Sequence, residues 1–235
     1  MPLLLHIDTA TEHAGVCLSR DGIVIGIREN TTLQQHASFL QPAIRDISKE
    51  TGISLHQLDA VCVTAGPGSY TGLRVGLSSA KGLCYALNKP LILLGTLEVM
   101  AYASIRAGAA GNLLPNTLFC PMIDARRMEV FTAAYDSRLQ AVLAPGPMVL
   151  TTSSFDALAA THHLVFSGSG SRKFQELAHF MLPSFPNIQH HASDMIMLAE
   201  QAYAGRKFAD LAYSEPFYMK EFFTPVPPAE RSRQL

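Results

Sequence analysis

The sequence predicts an α/β protein of two similar halves, and three observations predict it. The chain opens on an apolar strand ended by an acid, Leu3-Leu4-Leu5-His6-Ile7-Asp8. The same theme returns about half a chain later at Leu118-Phe119-Cys120-Pro121-Met122-Ile123-Asp124. In between, a strand, a helix and a further strand follow one another with short connections, which implies parallel pairing in an α/β sheet.

Each element has its own reason. Residues 3–7 are apolar and read as a buried strand, closed by Asp8-Thr9-Ala10-Thr11. Ala14 to Leu18 is a second strand. Asp21-Gly22 supplies the φ > 0 positions of a tight hairpin, and Ile23 to Ile27 completes an antiparallel meander. Leu33, Ala37, Leu40, Ile44 and Ile47 fall at steps of three and four, one face of a helix. Pro42 inside that run predicts a kink or an earlier start, and Gly52 predicts a stop. Residues 58–64 form a strand that runs into Ala65-Gly66-Pro67-Gly68-Ser69-Tyr70-Thr71-Gly72. The next helix carries Leu73, Gly76, Leu77, Ala80, Leu83 and Leu87 on one stripe and ends at Lys89-Pro90. A strand at 91–94 and a helix at 96–107 follow.

The weakly patterned stretch from Gly108 to Asn116 predicts a boundary. It leaves an N-terminal lobe over residues 1–107 and a C-terminal lobe over 108–223. Glu129 to Tyr135 and Asp136-Ser137 repeat the second strand and its turn. A strand at 164–166 and helices at 172–181 and 193–205 complete the second lobe. Residues 224–235 carry three prolines and read as an extended or disordered tail. Duplicated halves that each open with a hairpin and an Asp are the layout of the two-lobed actin-like fold (the ASKHA, sugar-kinase-like class), with ribonuclease-H-like halves.

Composition excludes several classes. Hydrophobic residues make up 48% of the chain and charged ones 16%, with a mean hydropathy of +0.17. That is too apolar for a disordered chain. No apolar run reaches about 18 residues, so no membrane span is expected. The N-terminus meets Asp8 with no basic run before it, unlike a secretory signal, and a cytoplasmic protein is expected. With 18 Lys+Arg against 19 Asp+Glu the net charge is −1. That lacks the basic surplus of a chain that grips nucleic acid unaided. Cys17, Cys62, Cys84 and Cys120 form no C-x-x-C pair and read as reduced, mostly buried thiols. Neither they nor the nine histidines, no two of them four apart, have metal-ligand spacing. Most of the histidines are expected at the surface.

Two regions could carry chemistry. The glycine-rich turn at 66–72 leaves N–H groups at a helix N-terminus, a nest for phosphate or carboxylate. It is neither a Walker loop nor G-x-G-x-x-G. Its plain reading is a tight turn capped by Ser69 or Thr71. Asp8 stands where actin-like ATPases orient Mg²⁺ or its water, but a lone Asp after a strand is more often a turn-former. The candidate anion contacts are therefore Asp8, Thr9, Gly66, Gly68, Ser69, Thr71 and Gly72. Asp124 has the same two readings, and Arg126 and Arg127 either hold an anion or pair with Asp124 or Glu129. The second region is a seam. Gly76, Ser78, Ser79, Ala80 and Gly82 let another helix approach closely. With the first helix they either pack on the lobe's own sheet or form a docking face, with Leu33, Leu40 and Leu77 as its anchors.

Several strings, all in order, resemble the bacterial TsaB (YeaZ) family, accessory proteins in making threonylcarbamoyladenosine in tRNA. They are Ile7-Asp8-Thr9-Ala10 with Gly15-Val16, the run from His36 to Ile44, the run from Gly66 to Gly76, Gly82-Leu83, and the run from Met122 to Val130. The likeness covers residues 3–135, and the stretch from Glu215 to Lys220 resembles a late Pro-x-Tyr motif. The Gly-Pro-Gly-Ser-x-Thr-Gly-Leu-Arg string is shared with the paralogue TsaD, whose metal-binding H-x-x-x-H is absent here. Met128 stands where the family often has a small residue, and Phe39 where a charged one is common.

The resemblance implies an actin-like scaffold with no catalytic residue, metal or cofactor of its own. It implies binding to TsaD through the first two helices, with the ATPase TsaE joining the pair. It further implies a homodimer through the same face when alone, tRNA contact only through the complex, and room for a nucleotide at a partner interface. Carried onto this chain, the partner face is Leu33, His36, Ala37, Leu40, Ile44, Tyr70, Leu73, Arg74, Leu77 and Ala80. The competing reading is an actin-like ATPase or small-molecule kinase that uses Asp8 and the 66–72 loop.

Overall fold

Two sheets of one plan lie end to end in the computed structural model, which describes residues 2–31, 35–109, 114–180 and 183–219. In the first sheet β1 (Leu3–Asp8), β2 (Ala14–Arg20) and β3 (Ile23–Asn30) form the expected meander. β4 (Ala60–Gly66) and β5 (Leu91–Gly95) join it in parallel, giving the order β3-β2-β1-β4-β5. Asp21 and Gly22 have φ 55° and 77°, the hairpin geometry that their types favour.

Side chains alternate across a strand. Leu3, Leu5 and Ile7 therefore face α1 (His36–Thr51) and α2 (Tyr70–Leu87), where they bury Leu40, Ile44, Ile47, Leu77 and Ala80. Leu4 faces the other way and packs with Cys62, Ile92, Met195 and Leu198. Because both faces are covered, β1 and β4 are buried along their whole length. α1 continues through Pro42 from a start at His36, and Gly52 closes it at φ 67°.

The second sheet holds β6 (Thr117–Asp124), β7 (Glu129–Tyr135), β8 (Ala141–Val149) and β9 (His163–Ser167) in the order β8-β7-β6-β9. β6 and β9 are parallel and the other pairs antiparallel, so the sheet repeats the plan of β3-β2-β1-β4. α3 (Thr96–Ala109) links the lobes by packing Leu97, Met100 and Ala101 on Phe119 and Ile123. The second core centres on Phe155, Phe166 and Phe174, whose rings lie 4.9–5.0 Å apart. α4 (Asp156–Ala159) and α5 (Ser171–Gln175) flank it, and a 3-10 turn (Ala192–Met195) leads into α6 (Ile196–Ala204).

Four expectations about the second half change. β8 has no counterpart in the sequence reading, because Pro145 and Pro147 mask it; as an edge strand it tolerates both. α5 stops at Gln175 instead of reaching 181. The helix expected over 193–205 divides into the 3-10 turn and α6. Residues 192–219, which the sequence reading assigned to the second lobe, pack on the first sheet: Met195, Leu198 and Ala199 cover Leu4 and Ile92, and Ala209 N–H donates to Leu91 O at 2.8 Å. The tail at 224–235 lies outside the described residues. Among those residues no helix is long and apolar enough to cross a membrane.

Candidate functional site

The carboxylate that ends β1 is used inside the fold. Asp8 Oδ1 accepts the Ala10 N–H at 3.0 Å and the Thr64 hydroxyl at 2.8 Å. Its Oδ2 lies 3.1 Å from His190 Nε2, and both side chains are buried. Burial alone would raise the Asp8 carboxyl. The His190 imidazolium and the two hydrogen bonds outweigh it and hold the group below the usual carboxylate range. Burial would likewise lower His190, but Asp8, with Asp194 and Glu29 further off, pushes it up. Beside the pair, Arg106 lies 2.7 Å from buried Asp194, and His191 Nδ1 lies 2.5 Å from Glu29.

The 66–72 loop is closed by the chain's own backbone. Ser69 N–H donates to Ala10 O at 2.6 Å, and Gly72 N–H donates to Ser69 Oγ at 3.2 Å, so Ser69 is the N-cap of α2. Thr9 Oγ1 donates to Gly72 O at 2.7 Å. A Cβ at Gly68 would collide with the Ala10 carbonyl, and one at Gly72 with the Thr9 carbonyl. These glycines let the loop lie directly on the end of β1. The anion-nest expectation is corrected accordingly. Asp8 and Thr9 are buried and already bonded, and the Ala10 carbonyl occupies the concavity of Gly68. Gly66, at φ 123°, lies against the Phe217 carbonyl rather than an open nest. Ser69 and Thr71 stay exposed.

Those two line a cleft of about 910 Å³ between the lobes. Arg126 and Phe131 line its opposite wall, and Phe217 and Tyr218 line a third side. Tyr218 belongs to a strap, residues 207–219, that returns along α2. Lys81 Nζ donates to the carbonyls of Ala212 and Ser214, each at 3.1 Å. Arg74 Nε donates to Tyr218 Oη at 2.8 Å, and its guanidinium lies 3.9 Å from the Tyr70 ring centroid. Asp124, across the cleft, is held by Lys173 Nζ at 2.6 Å and by the Arg126 N–H at 2.6 Å. Partial desolvation raises its carboxyl, but these contacts leave it below the usual range. Among the described residues no three His, Cys, Asp or Glu side chains cluster closely enough to hold a metal ion.

The helical seam is corrected in part. Leu40, Ile44, Leu73, Leu77 and Ala80 are at most 4% exposed and belong to the interior of the first lobe. The apolar stripe of each helix packs on the lobe's own sheet. Leu33 lies outside the described residues. Ala37, Tyr70 and Arg74 are exposed and His36 half-buried, its Nε2 2.9 Å from Thr11 O. The outward surface is instead Ala37, Gln41, Ser78, Gly82 and Tyr85. Gln41 Nε2 donates to Ser79 Oγ at 3.1 Å and ties the two helices together there. A Cβ placed on Gly82 would meet nothing within 4 Å.

Two histidines depart from the surface expectation. His6 is wholly buried, with Nε2 2.7 Å from Ser19 Oγ, and burial lowers it to about 3. His190 completes the Asp8 pair. No local pattern marks either one; the only available signal was that an acid ending a buried strand needs a partner.

A family model described as TsaD, tRNA N6-adenosine threonylcarbamoyltransferase, matches residues 22–223. The tRNA threonylcarbamoyladenosine biosynthesis protein TsaB of Escherichia coli K12 is 30% identical over 229 residues, which span 92% of this chain and 94% of that protein. The protein of the same name from Haemophilus influenzae is 36% identical over 128 residues, 54% of this chain and 51% of its own. Among solved structures, YeaZ from Pseudomonas aeruginosa superposes with a TM-score of 0.78 at 24% identity, over 93% of this chain and all of that one, and has the same fold.

Proposed function

The chain belongs to the TsaB family of tRNA threonylcarbamoyladenosine biosynthesis proteins, and from that membership we propose that it is a non-catalytic scaffold subunit of the machinery that places threonylcarbamoyl on adenosine in tRNA. It binds the transferase TsaD through the outward surface of α1 and α2, and TsaE joins that pair in the cytoplasm. Without TsaD the same surface pairs two copies of this chain. Any nucleotide in the assembly belongs to the interface with TsaD rather than to this subunit alone.

The observation that carries the reading is Gly82. A glycine inside a helix costs about 1 kcal/mol relative to alanine. Gly72 and Gly76 have a reason within the fold, since Thr9 leaves no room for a Cβ at either. Gly82 has none: it is exposed, helical and faces open space. Its missing side chain serves something that approaches from outside, and a second helix is what fits closely over Gly82 and Ser78. The commitment of Asp8, Thr9, Gly66 and Gly68 to contacts within the fold is a second support, because it engages groups a kinase of this fold would use.

Gly82→Arg tests it. The variant keeps its fold and its circular dichroism, yet fails to co-elute with TsaD from the same organism in size exclusion. Reconstituted transfer falls with the complex, and the isolated native chain transfers nothing. A Gly82→Arg variant that still binds TsaD would move the interface elsewhere, and transfer by the isolated chain would make it an enzyme.

A further inference from the structure

Three successive residues of the strap are seated on three different elements. The Phe217 N–H donates to Ala65 O at 2.6 Å, at the end of β4, and the Phe217 carbonyl takes the space where Gly66 has no side chain. The Tyr218 ring lies on α2, 5.3 Å from the Tyr70 ring, and its hydroxyl accepts from Arg74 Nε at 2.8 Å. Met219 packs on the cluster in which Leu97 and Met100 of α3 meet Phe119 and Ile123 of the second sheet. Ile123 and Phe131 line the interlobe cleft together with it.

Further back the strap is tied to the first lobe. Ala209 N–H donates to Leu91 O at 2.8 Å, at the start of β5, and Lys81 holds the carbonyls of Ala212 and Ser214. The crossing toward the second sheet comes at the mouth of the cleft, within residues 217–219. Two lobes move against each other by default unless a large apolar interface holds them. On this side the lobes are separated by a cleft of about 910 Å³, so the strap spans a gap that the walls leave open. Its seat is shaped for it, since a Cβ on Gly66 would collide with the Phe217 carbonyl.

We propose that Phe217, Tyr218 and Met219 form a bolt across the interlobe cleft. Seated, it fixes the angle between the lobes by itself; drawn, it lets the cleft open. Drawing it leaves both cores intact, because Arg74 is exposed and Tyr218 and Met219 are half-buried. The bolt acts within one chain and does not require TsaD.

Spin labels on the two walls of the cleft test it in the full chain. The four native cysteines are buried, so labels attach at Thr71→Cys and Arg126→Cys, and electron paramagnetic resonance reads the distance between them. With the native strap the distances form one narrow distribution. Tyr218→Ala with Met219→Ala shifts it to longer distances and broadens it. Met219→Ala alone gives part of that change, because it frees the anchor beside the second sheet. Phe217→Ala gives none: its ring is 56% exposed, and the seat of residue 217 is made by its backbone. An unchanged distribution in the double variant overturns the proposal. So does an equal broadening in Phe217→Ala, which would assign the effect to filling of the cleft. A native distribution as broad as that of the double variant overturns it too. Should the double variant lose its circular dichroism, Met219→Ala and Tyr218→Phe decide singly, and no broadening in either overturns the bolt. Co-elution of the native chain with TsaD bears on the scaffold reading alone and leaves the distances standing.

Discussion

Asp8 and His190 meet at 3.1 Å with side chains 3% and 6% exposed, and this pair fastens the segment that leads into α6 to the end of β1. Residues 190–194 cross β1 and β3 there, and α6 follows to cover Leu4, Cys62 and Ile92. The acid that an actin-like ATPase would turn toward Mg²⁺ is turned inward here.

Removing one member of the pair therefore costs more than losing a surface ion pair. Asp8→Ala leaves His190 buried without its acid and lowers stability by about 3–5 kcal/mol in urea denaturation at pH 7. Asp8→Asn combined with His190→Gln costs less than the two single changes summed, by at least about 1 kcal/mol. Additive single losses would mean that the two side chains do not act together.

Acid stability has a different owner. His6 is held neutral by burial, at about 3 against an ordinary 6.5. The unfolded chain therefore binds a proton that the folded chain refuses throughout that interval, and stability falls as pH falls. From pH 6.5 to 5 the loss is about 2 kcal/mol, at 1.36 per unit. His190 is shifted the other way. Its contribution is complete below about 6.5 and declines as pH rises through its raised folded value. Asp8, shifted down, keeps its contribution until pH falls below about 3.9. Between pH 6.5 and 5 the falling slope thus comes from His6, with the raised carboxyls of Glu98 and Asp194 working against it. Urea midpoints for His6→Leu should flatten there, and an unchanged slope would assign it to another group.

What the sequence showed and what it hid divide by range. The meander, the Asp21-Gly22 hairpin and the α2 stripe were legible because each rests on neighbours in the chain. β8 was hidden by Pro145 and Pro147, whose tolerance depends on having no partner on one side. The Asp8–His190 pair was hidden because nothing near either residue encodes the other. In the seam, periodicity identified the correct apolar stripe but could not say what it faces. Leu40 and Leu77 turned out to face β1 and β4 rather than a partner. Leu77→Asp should thus unfold the first lobe, where Gly82→Arg spares it; a folded Leu77→Asp chain that merely loses TsaD would restore the original anchors.

The strap along α2 is held by few contacts and should open before the sheets do. Lys81 grips it through two carbonyls, and the Phe217 N–H donates to Ala65 O at 2.6 Å. Lys81→Met should speed amide exchange across residues 210–219 about fivefold, the equivalent of about 1 kcal/mol. Exchange in β1 and β4 should not change. If the Phe217 amide stays as protected as before, the strap is anchored elsewhere.

The last prediction separates a packed turn from a ligand nest. Gly68 presents the place of its missing Cβ to the Ala10 carbonyl, a backbone atom fixed by the Ser69 N–H at 2.6 Å. Gly68→Ala must move either the buried end of β1 or the start of α2. Forcing an extra methyl into such a contact costs about 1–3 kcal/mol, and here the neighbour has no rotamer by which to retreat. The thermal midpoint should fall with no ligand present. Were the loop an open phosphate nest, the added methyl would project into solvent, stability would hold, and only anion affinity would suffer. A Gly68→Ala chain as stable as the native one would therefore return the 66–72 loop to the list of ligand sites and revive the kinase reading with it.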